Sequence, residues 1–490
     1  MSVTYTPVIG LEVHVQLKTK TKIFCGCSAD YSGDEPNSHI CPVCMGLPGT
    51  LPVFNKHVAE QAIRGGLALN CKIHEAAYFS RKAYYYADMT KNFQISQDDL
   101  PIAYDGYIEL IGDDGSVKRV RINRLHIEED VGKLSHGASD GRLEGSAYSN
   151  VDYNRAGMPL AEIVSEPDIS SAREALDYAM MLRRIMRYCG ASDADMEKGM
   201  MRFDANVSVK CSDGMCSKRV EVKNMNSFRA LERAIEYEVK RHIETLEKGE
   251  EGLKETRHWN DAANSTSASR VKEASYKFIV EPDLPALRVG REWVERAKEE
   301  LPEMPKQKWD RFRTEYGLSA IDAGVLTESR DVADYYEICV RSGANPVRAN
   351  NWVRTEVLRA VNDAKLNEGA ALLHFPVKPE SLAELLIRVE EGKFSTTLAR
   401  QIFDLMCGGK GLNEAVRETG ASEGGVSGEK LCETIGKILE VNRDVIEEIN
   451  SGKDTSGKKV KFLQGLVMRE LKGQVKPDDV EKALKEQLKI

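Results

Sequence analysis

The sequence holds 490 residues, 41% of them hydrophobic and 30% charged, with a net charge of −8. That balance describes a soluble globular protein able to build a sizeable core in about three domains, and it excludes a generally basic coat, so nucleic-acid binding needs a local basic patch. No signal-type apolar region follows the initiator Met, no long apolar run occurs, and the odd count of 11 cysteines fits a reducing compartment better than a disulfide framework, so a cytoplasmic chain without a membrane span is expected.

The first predicted strand, Val8 to Leu17, places Ile9, Leu11, Val13, Val15 and Leu17 on one face and Glu12 and His14 on the other. Side chains alternate along a strand and each residue advances about 3.3 Å, so Glu12 and His14 stand roughly 6.6 Å apart, near enough to share an ion or a substrate group. Four clustered cysteines follow, Cys25-Gly-Cys27 and, after thirteen intervening residues, Cys41-Pro-Val-Cys44. Two paired-cysteine knuckles suit a closed tetrahedral zinc site with no open coordination position, hence a structural one. A redox pair is the rival reading, but nothing nearby has the βαβ setting of a thioredoxin-like motif. The other cysteines lack such spacing, and most of them read as small core residues.

A second acidic knot, His126-Ile127-Glu128-Glu129-Asp130, ends another strand-like run. A helix is predicted from Ser170 or Ser171 to Gly190 and another from Ser227 to Gly249, each with a serine cap and a terminal glycine. Between them Arg202, Asp204, Asn206 and Ser208 alternate with Phe203, Ala205, Val207 and Val209. Loops at Asp113-Asp114-Gly115 and Asp213-Gly214 join hairpin-like segments, giving a mixed α+β region with a large, mainly antiparallel sheet. Three acceptor-rich sheet edges suggest a metal-phosphate enzyme. Taken singly, each acidic residue reads equally well as a hydrogen-bonded strand-end carboxylate.

From Trp293 onward the apolar period is helical, with a boundary at Gly408 to Gly411 and a linker over Ser422 to Gly428. The last 39 residues carry ten Lys or Arg against six Asp or Glu, a local excess that on its own reads as a solvated helical face. The Gly452 to Lys459 stretch nearly spells a P-loop, but Lys459 replaces the magnesium-binding hydroxyl and no buried strand precedes it. The glycine-rich run at Gly424 to Gly428 reads as a flexible connection, not as a nucleophilic serine site.

Eight ordered blocks together are far more specific than any one of them: Ile9-Gly-Leu-Glu-Val-His14; the four cysteines, ending Cys44-Met-Gly-Leu-Pro-Gly49; Ser80-Arg81-Lys82 with Asn92-Phe93-Gln94-Ile95-Ser96-Gln97; Arg124-Leu-His126-Ile-Glu128-Glu129-Asp130; Asn154-Arg155-Ala-Gly-Met-Pro159-Leu160; Ile163-Val-Ser-Glu-Pro167-Asp168; Arg202-Phe-Asp204-Ala-Asn206; and Val222-Lys223-Asn224-Met-Asn226-Ser227. They resemble the B subunit of the aspartyl/glutamyl-tRNA amidotransferase, and the similarity runs from the first strand to the C-terminus. The archaeal E subunit shares the N-terminal blocks but carries a large inserted domain for which this chain has no length.

The resemblance implies an α+β cradle domain (residues 1–292) with the active site and the cysteine loop, a helical domain (293–407) and a small helical tail (408–490) that touches tRNA. It implies an ATP-dependent ligase that phosphorylates the side-chain carboxylate of Glu or Asp on misacylated tRNA for Gln or Asn. Ammonia from an amidase partner, the A subunit, then displaces the phosphate, and a small C subunit belts the pair together. Carried over by position, Glu12, His14, Glu128, Glu129 and Asp204 match magnesium-binding, catalytic residues, and Lys82 matches a basic residue beside that site; Lys82, joined by Arg81, is expected to neutralise the transferring phosphoryl group. His14 is an unusual ligand for so hard an ion. Alternation also sends Glu128 and Glu129 to opposite faces unless the strand ends or bulges there. In the tail, Lys453, Lys458, Lys459, Lys461 and Arg469 match tRNA-contacting positions, as phosphate binders without base readout. A non-catalytic tRNA-binding scaffold and a free-standing metal hydrolase stand as rivals. No Ser-Ser-Lys amidase signature is present, so the chain by itself is not expected to release ammonia from glutamine.

Overall fold

Alternation along the first strand sets the architecture: Ile9, Leu11, Val13 and Val15 are fully buried, while Glu12 and His14 between them keep partial access to solvent. A computed structural model describes residues 3–112, 115–137, 146–271, 276–364, 372, 374–419, 428–450, 458–471, 475 and 477–488. The chain divides into two compact units, Met1–Gln307 and Lys308–Ile490, and the class is α+β, as the sequence predicts.

In the first unit β1 (Tyr5–Gln16) leads to α1 (Lys56–Ala68) and the short strands β2 (Lys72–Ile73), β3 (Ala76–Ala77), β4 (Ser80–Ala83) and β5 (Phe93–Ser96). There follow β6 (Ala103–Ile111), β7 (Val117–Glu129), β8 (Lys133–His136), β9 (Ser149–Asp152), β10 (Pro159–Ser165) and α2 (Ala172–Tyr188). The remainder is β11 (Met201–Cys211), β12 (Val220–Met225), α3 (Phe228–Glu247), β13 (Glu255–Asn260), β14 (Ser265–Val271), β15 (Phe278–Val280), β16 (Leu287–Arg288) and α4 (Arg291–Glu299). A nine-stranded sheet runs in the order β14-β13-β12-β11-β1-β10-β7-β6-β2, antiparallel except where β12 meets β13. Its apolar face packs against α1, α2 and α3, and Leu11, Val13, Leu125, Ile163 and Phe203 join Leu182 and Leu231 in one core. The two predicted helices appear with their expected punctuation: Ser171 caps α2 and Ser227 caps α3, each accepting a backbone N–H three residues on, and Gly190 and Gly249 follow with φ of 72° and 79°. Covering the core on one face leaves the other face of the sheet for polar groups. A three-stranded sheet, β15-β4-β5, stands next to β7.

The second unit is helical. After α5 (Pro305–Glu315), which spans the division, come α6 (Ala320–Leu326), α7 (Arg330–Arg341) and α8 (Pro346–Trp352), joined by a π-helical turn, Val353–Val357, to α9 (Leu358–Asp363). Next are α10 (Pro379–Glu390), α11 (Thr396–Cys407), α12 (Leu412–Glu418), α13 (Gly428–Val441), α14 (Arg443–Asn450), α15 (Lys458–Glu470) and α16 (Pro477–Leu488). Gly408 to Gly411 separates α11 from α12, as expected. The expected linker over 422–427 and the P-loop-like 452–457, with Lys453, lie outside the described residues. A separate small core of Leu431, Ile435, Leu463, Val467, Val480 and Leu484 holds α13, α15 and α16 together. Among the described residues no helix is long and apolar enough to cross a membrane.

Candidate active site

Five neighbouring strands each raise polar side chains on the face opposite the core. Pairing sets Glu12 of β1 opposite Asp204 of β11, His14 opposite Glu162 of β10, and Glu162 opposite His126 of β7. In β12, Val220 and Val222 enter the core, so Glu221 and Lys223 share the polar face. A register shift then admits one extra residue, Asn224 at φ 72°, and returns Met225 to the core opposite Phe203. Two groups of potential ligands result, His14–Glu128–Glu162 and Glu12–Asp204–Glu221, and within each the donor atoms lie within 4.8 Å of one another.

The first group is a web of opposite charges. His14 Nε2 lies 3.3 Å from both Glu128 Oε1 and Glu162 Oε2, and His126 Nε2 lies 3.3 Å from Glu162 Oε2 and 3.9 Å from Glu128 Oε2. Burial works against a charged imidazole, yet the Glu162 and Glu128 carboxylates hold His14 up to about 10 and raise His126 as well. Burial and mutual repulsion would raise the two carboxyls, but the paired imidazoles keep both well below the ordinary range. Lys82 of β4 is opposed by burial and favoured by Glu128 and Glu162, with a net rise; its ammonium also lies 4.8 Å from the Tyr276 ring centre.

The second group is held differently. Lys223 Nζ sits 2.6 Å from Asp204 Oδ2 and 3.0 Å from Glu221 Oε1, while Asn206 Nδ2 donates to Glu12 Oε1 at 2.8 Å. Burial first, then the nearby Glu162 carboxylate, raises Glu12 above the usual carboxyl value, with Lys223 and Asn206 pulling the other way. Three carboxylates with no imidazole among them form an oxygen donor set suited to a hard divalent cation such as magnesium; the histidine in the other set makes it a mixed one.

Of the residues marked from sequence, Glu12, His14, Glu128, Asp204 and Lys82 come together here, and Glu129 and Arg81 do not. Alternation sends Glu129 to the other side of β7, where its Oε1 accepts from Lys91 Nζ at 2.6 Å and from the Ile95 backbone N–H at 2.7 Å. Arg81, one residue from Lys82, is drawn away into Glu281 (2.8 Å and 2.9 Å) and Asp283 (2.8 Å) and lies over Phe93. These groups line a separate cavity of about 150 Å³ whose wall includes Lys22, Cys44 and Lys91. Sequence reasoning missed Glu162, Glu221 and Lys223 as site residues and left His126 without a role. The available signal was a lone charged residue at the alternate positions of an otherwise apolar run, as in Leu160-Ala161-Glu162-Ile163 and Val220-Glu221-Val222-Lys223.

The cysteine loop closes as predicted in geometry: the sulfurs of Cys25, Cys27, Cys41 and Cys44 all lie within 4.8 Å of one another. Cys44 accepts the Cys41 N–H at 3.1 Å, and a hydrogen bond from Cys25 lowers the Cys44 thiol below its usual value. All 11 cysteines are free thiols. In the second unit Lys458, Lys461 and Arg469 lie on exposed positions of α15 above the buried Leu463 and Val467, and Lys459 pairs with Glu448.

Comparison with known proteins gives this geometry a lineage. The GatB/GatE catalytic domain model matches residues 7–295 and the GatB domain model residues 334–488. The chain belongs to the GatB/GatE family. It is 46% identical to the B subunit of the aspartyl/glutamyl-tRNA(Asn/Gln) amidotransferase of Carboxydothermus hydrogenoformans over 488 residues, 99% of each chain. It is also 46% identical to the protein of the same name in Thermotoga maritima over 97% of each chain, and 44% identical to that of Thermoanaerobacter sp. (strain X514) over 99% of each. The family's catalytic-domain match takes in both ligand groups, Lys82 and the four cysteines, while its second match contains α15 with the tail's basic residues.

Proposed function

We propose that this chain is the B subunit of a tRNA-dependent amidotransferase, an ATP-dependent ligase acting on Glu or Asp esterified to the tRNA for Gln or Asn. In this reading the amino acid's side-chain carboxylate attacks the γ-phosphate of ATP, releasing ADP and leaving an acyl phosphate, and ammonia delivered by the amidase, or A, subunit then displaces phosphate from it to leave the amide. A small C subunit completes the complex, which works in the cytoplasm. The observation that carries the reading is the convergence of carboxylates from β1, β7, β10, β11 and β12 on one face of the sheet, with the Lys82 ammonium drawn to Glu128 and Glu162.

The all-carboxylate set fits magnesium best, and Glu12, Asp204 and Glu221 would hold it; bound there, the ion supplies positive charge to the nucleotide phosphates. His14, Glu128 and Glu162 form a second candidate set. Lys82 stays protonated beside Glu128 and Glu162 and offers its charge to the transferring phosphoryl group. Lys223, on a flexible stem, neutralises Asp204 and Glu221 and can turn toward the same phosphate. The attacking carboxylate is ionised at neutral pH and needs no general base. The four thiols fit structural zinc, with no open position for chemistry. The first unit forms the cradle, which keeps α4 and so extends past the expected boundary at 292; the residues from there to 407 form the helical domain and 408–490 the tail, whose Lys458, Lys459, Lys461 and Arg469 bind tRNA phosphates. The test is ATP-dependent conversion of each misacylated tRNA by the co-purified complex. Asp204→Ala and Glu128→Ala should abolish tRNA-stimulated ATP cleavage; unchanged cleavage would reduce the chain to a tRNA-binding scaffold.

A further inference from the structure

Lys22 is a lysine with no access to solvent, and among the described residues no carboxylate lies within ion-pair distance of it. Its ammonium donates to the backbone carbonyls of His39 at 2.8 Å and Tyr153 at 3.3 Å, and its third contact is the Cys44 sulfur at 3.8 Å. An ammonium has three donors, so these contacts fill it. Gly157, at φ 79°, lies alongside both groups: a Cβ there would sit 3.6 Å from Lys22 Cδ and 3.7 Å from Cys44 Cβ, at ordinary contact distance. The Lys22 backbone N–H bonds the carbonyl of Cys27 at 3.0 Å, so this one residue braces both cysteine pairs.

A buried cation is costly unless an anion compensates it, and two neutral carbonyls do not. The group within reach that can carry negative charge is the Cys44 sulfur. Four thiolates around one divalent zinc leave two negative charges uncompensated, and a buried cation beside one sulfur answers that excess.

We propose that Lys22 is the counter-cation of the cysteine site, holding zinc in place by neutralising its thiolate charge and donating to the Cys44 sulfur. The proposal rests on the zinc reading above. Its role is that of a positioning residue: it acts through Cys44 and touches neither metal nor substrate. Partners outside the ligand set commonly set metal affinity, and their loss costs about 10- to 100-fold. A zinc-bound thiolate stripped of its neighbouring cation is also the stronger nucleophile, because intrinsic nucleophilicity rises with basicity.

The experiment compares full-length wild type, Lys22→Met, which keeps the stem but not the charge, and Lys22→Gln, which keeps a donor without the charge. Zinc is first counted in the wild-type protein by elemental analysis; a metal-free wild type would sink the zinc reading itself. Given zinc in the wild type, competition with a chromogenic chelator should show both variants binding it about 10- to 100-fold more weakly. Methyl methanethiosulfonate should release zinc faster from both variants than from wild type. Stripping zinc should lower the melting temperature of wild type more than that of Lys22→Met, because only wild type is left with a buried uncompensated cation. Variants that melt earlier but hold zinc with wild-type affinity and release rate would make Lys22 a packing residue and overturn the proposal. If Lys22→Met does not fold, the Gln variant carries the same affinity and release readouts.

Discussion

Two carboxylate groups share one face of the same sheet, yet their charge is balanced by different means. Around Glu128 and Glu162 the balance comes from two imidazoles seated on β1 and β7; around Asp204 and Glu221 it comes from Lys223 at the end of a flexible stem. An imidazole fixed in a sheet loses its charge as pH rises, whereas an ammonium keeps its charge and can move aside. The first group therefore behaves as an ionic web whose carboxylates are already largely balanced, and the second as the acceptor set more open to a cation. Neighbouring clusters of the same residue type thus have different chemistry, decided by which base each strand brings.

The sharpest break in that comparison should come from Glu162→Gln, which takes from His14 and His126 the carboxylate they share. Removing one member of a buried pair costs about 3 kcal/mol or more, readable as a lowered urea midpoint, while Glu221→Gln, which leaves Asp204 beside Lys223, should cost much less. Asp204→Asn should reverse the order in an activity assay. With folding and zinc content unchanged, tRNA-stimulated ATP cleavage should fall about 10²- to 10³-fold, the usual loss when a charge-stabilising group is removed. A smaller effect separates the groups by pH in the metal-free protein. The folded-state value of His14 is raised from 6.5 to about 10, so its stabilising contribution is complete below pH 6.5 and is lost as pH climbs through 10. Glu128 and Glu162, held below their ordinary 4.5, add stability above that pH and lose it on acidification. The melting temperature should accordingly decline from pH 6.5 towards 10, and His14→Gln should flatten that decline; an unchanged slope would mean that the imidazole is not charged. The smallest effect belongs to the tail. Lys461→Ala should weaken tRNA binding a few-fold at low salt, with the difference vanishing at high salt, as for a single phosphate contact.

Much of this site was legible in the sequence because strand alternation is a local rule. Glu12 with His14, Asp204 with Asn206, and the four-cysteine spacing needed only period two or short-range spacing to be noticed, and the helix caps at Ser171 and Ser227 were equally local. The sequence also posed the question of Glu128 and Glu129 correctly: β7 continues through Glu129 without a bulge between them, so alternation sends one to the ligand groups and the other to Lys91. Glu162 and Glu221 were not read because a single acidic residue in an apolar run has no local meaning until its cross-strand neighbours are known. Arg81 follows the same rule: one residue along the strand from Lys82 is the opposite face, where Glu281 and Asp283 hold it.

By itself, then, the sequence determined which residues alternate, where helices begin and end, that four thiols cluster, and to which family the blocks bear a likeness. Only tertiary structure decided that β10 lies between β1 and β7, and β11 between β1 and β12. That strand order brings carboxylates as much as 209 residues apart, Glu12 and Glu221, within reach of one cation. The physical reason is that a side chain's period is fixed by its own backbone, whereas its partners are fixed by which strands the hydrophobic core draws side by side.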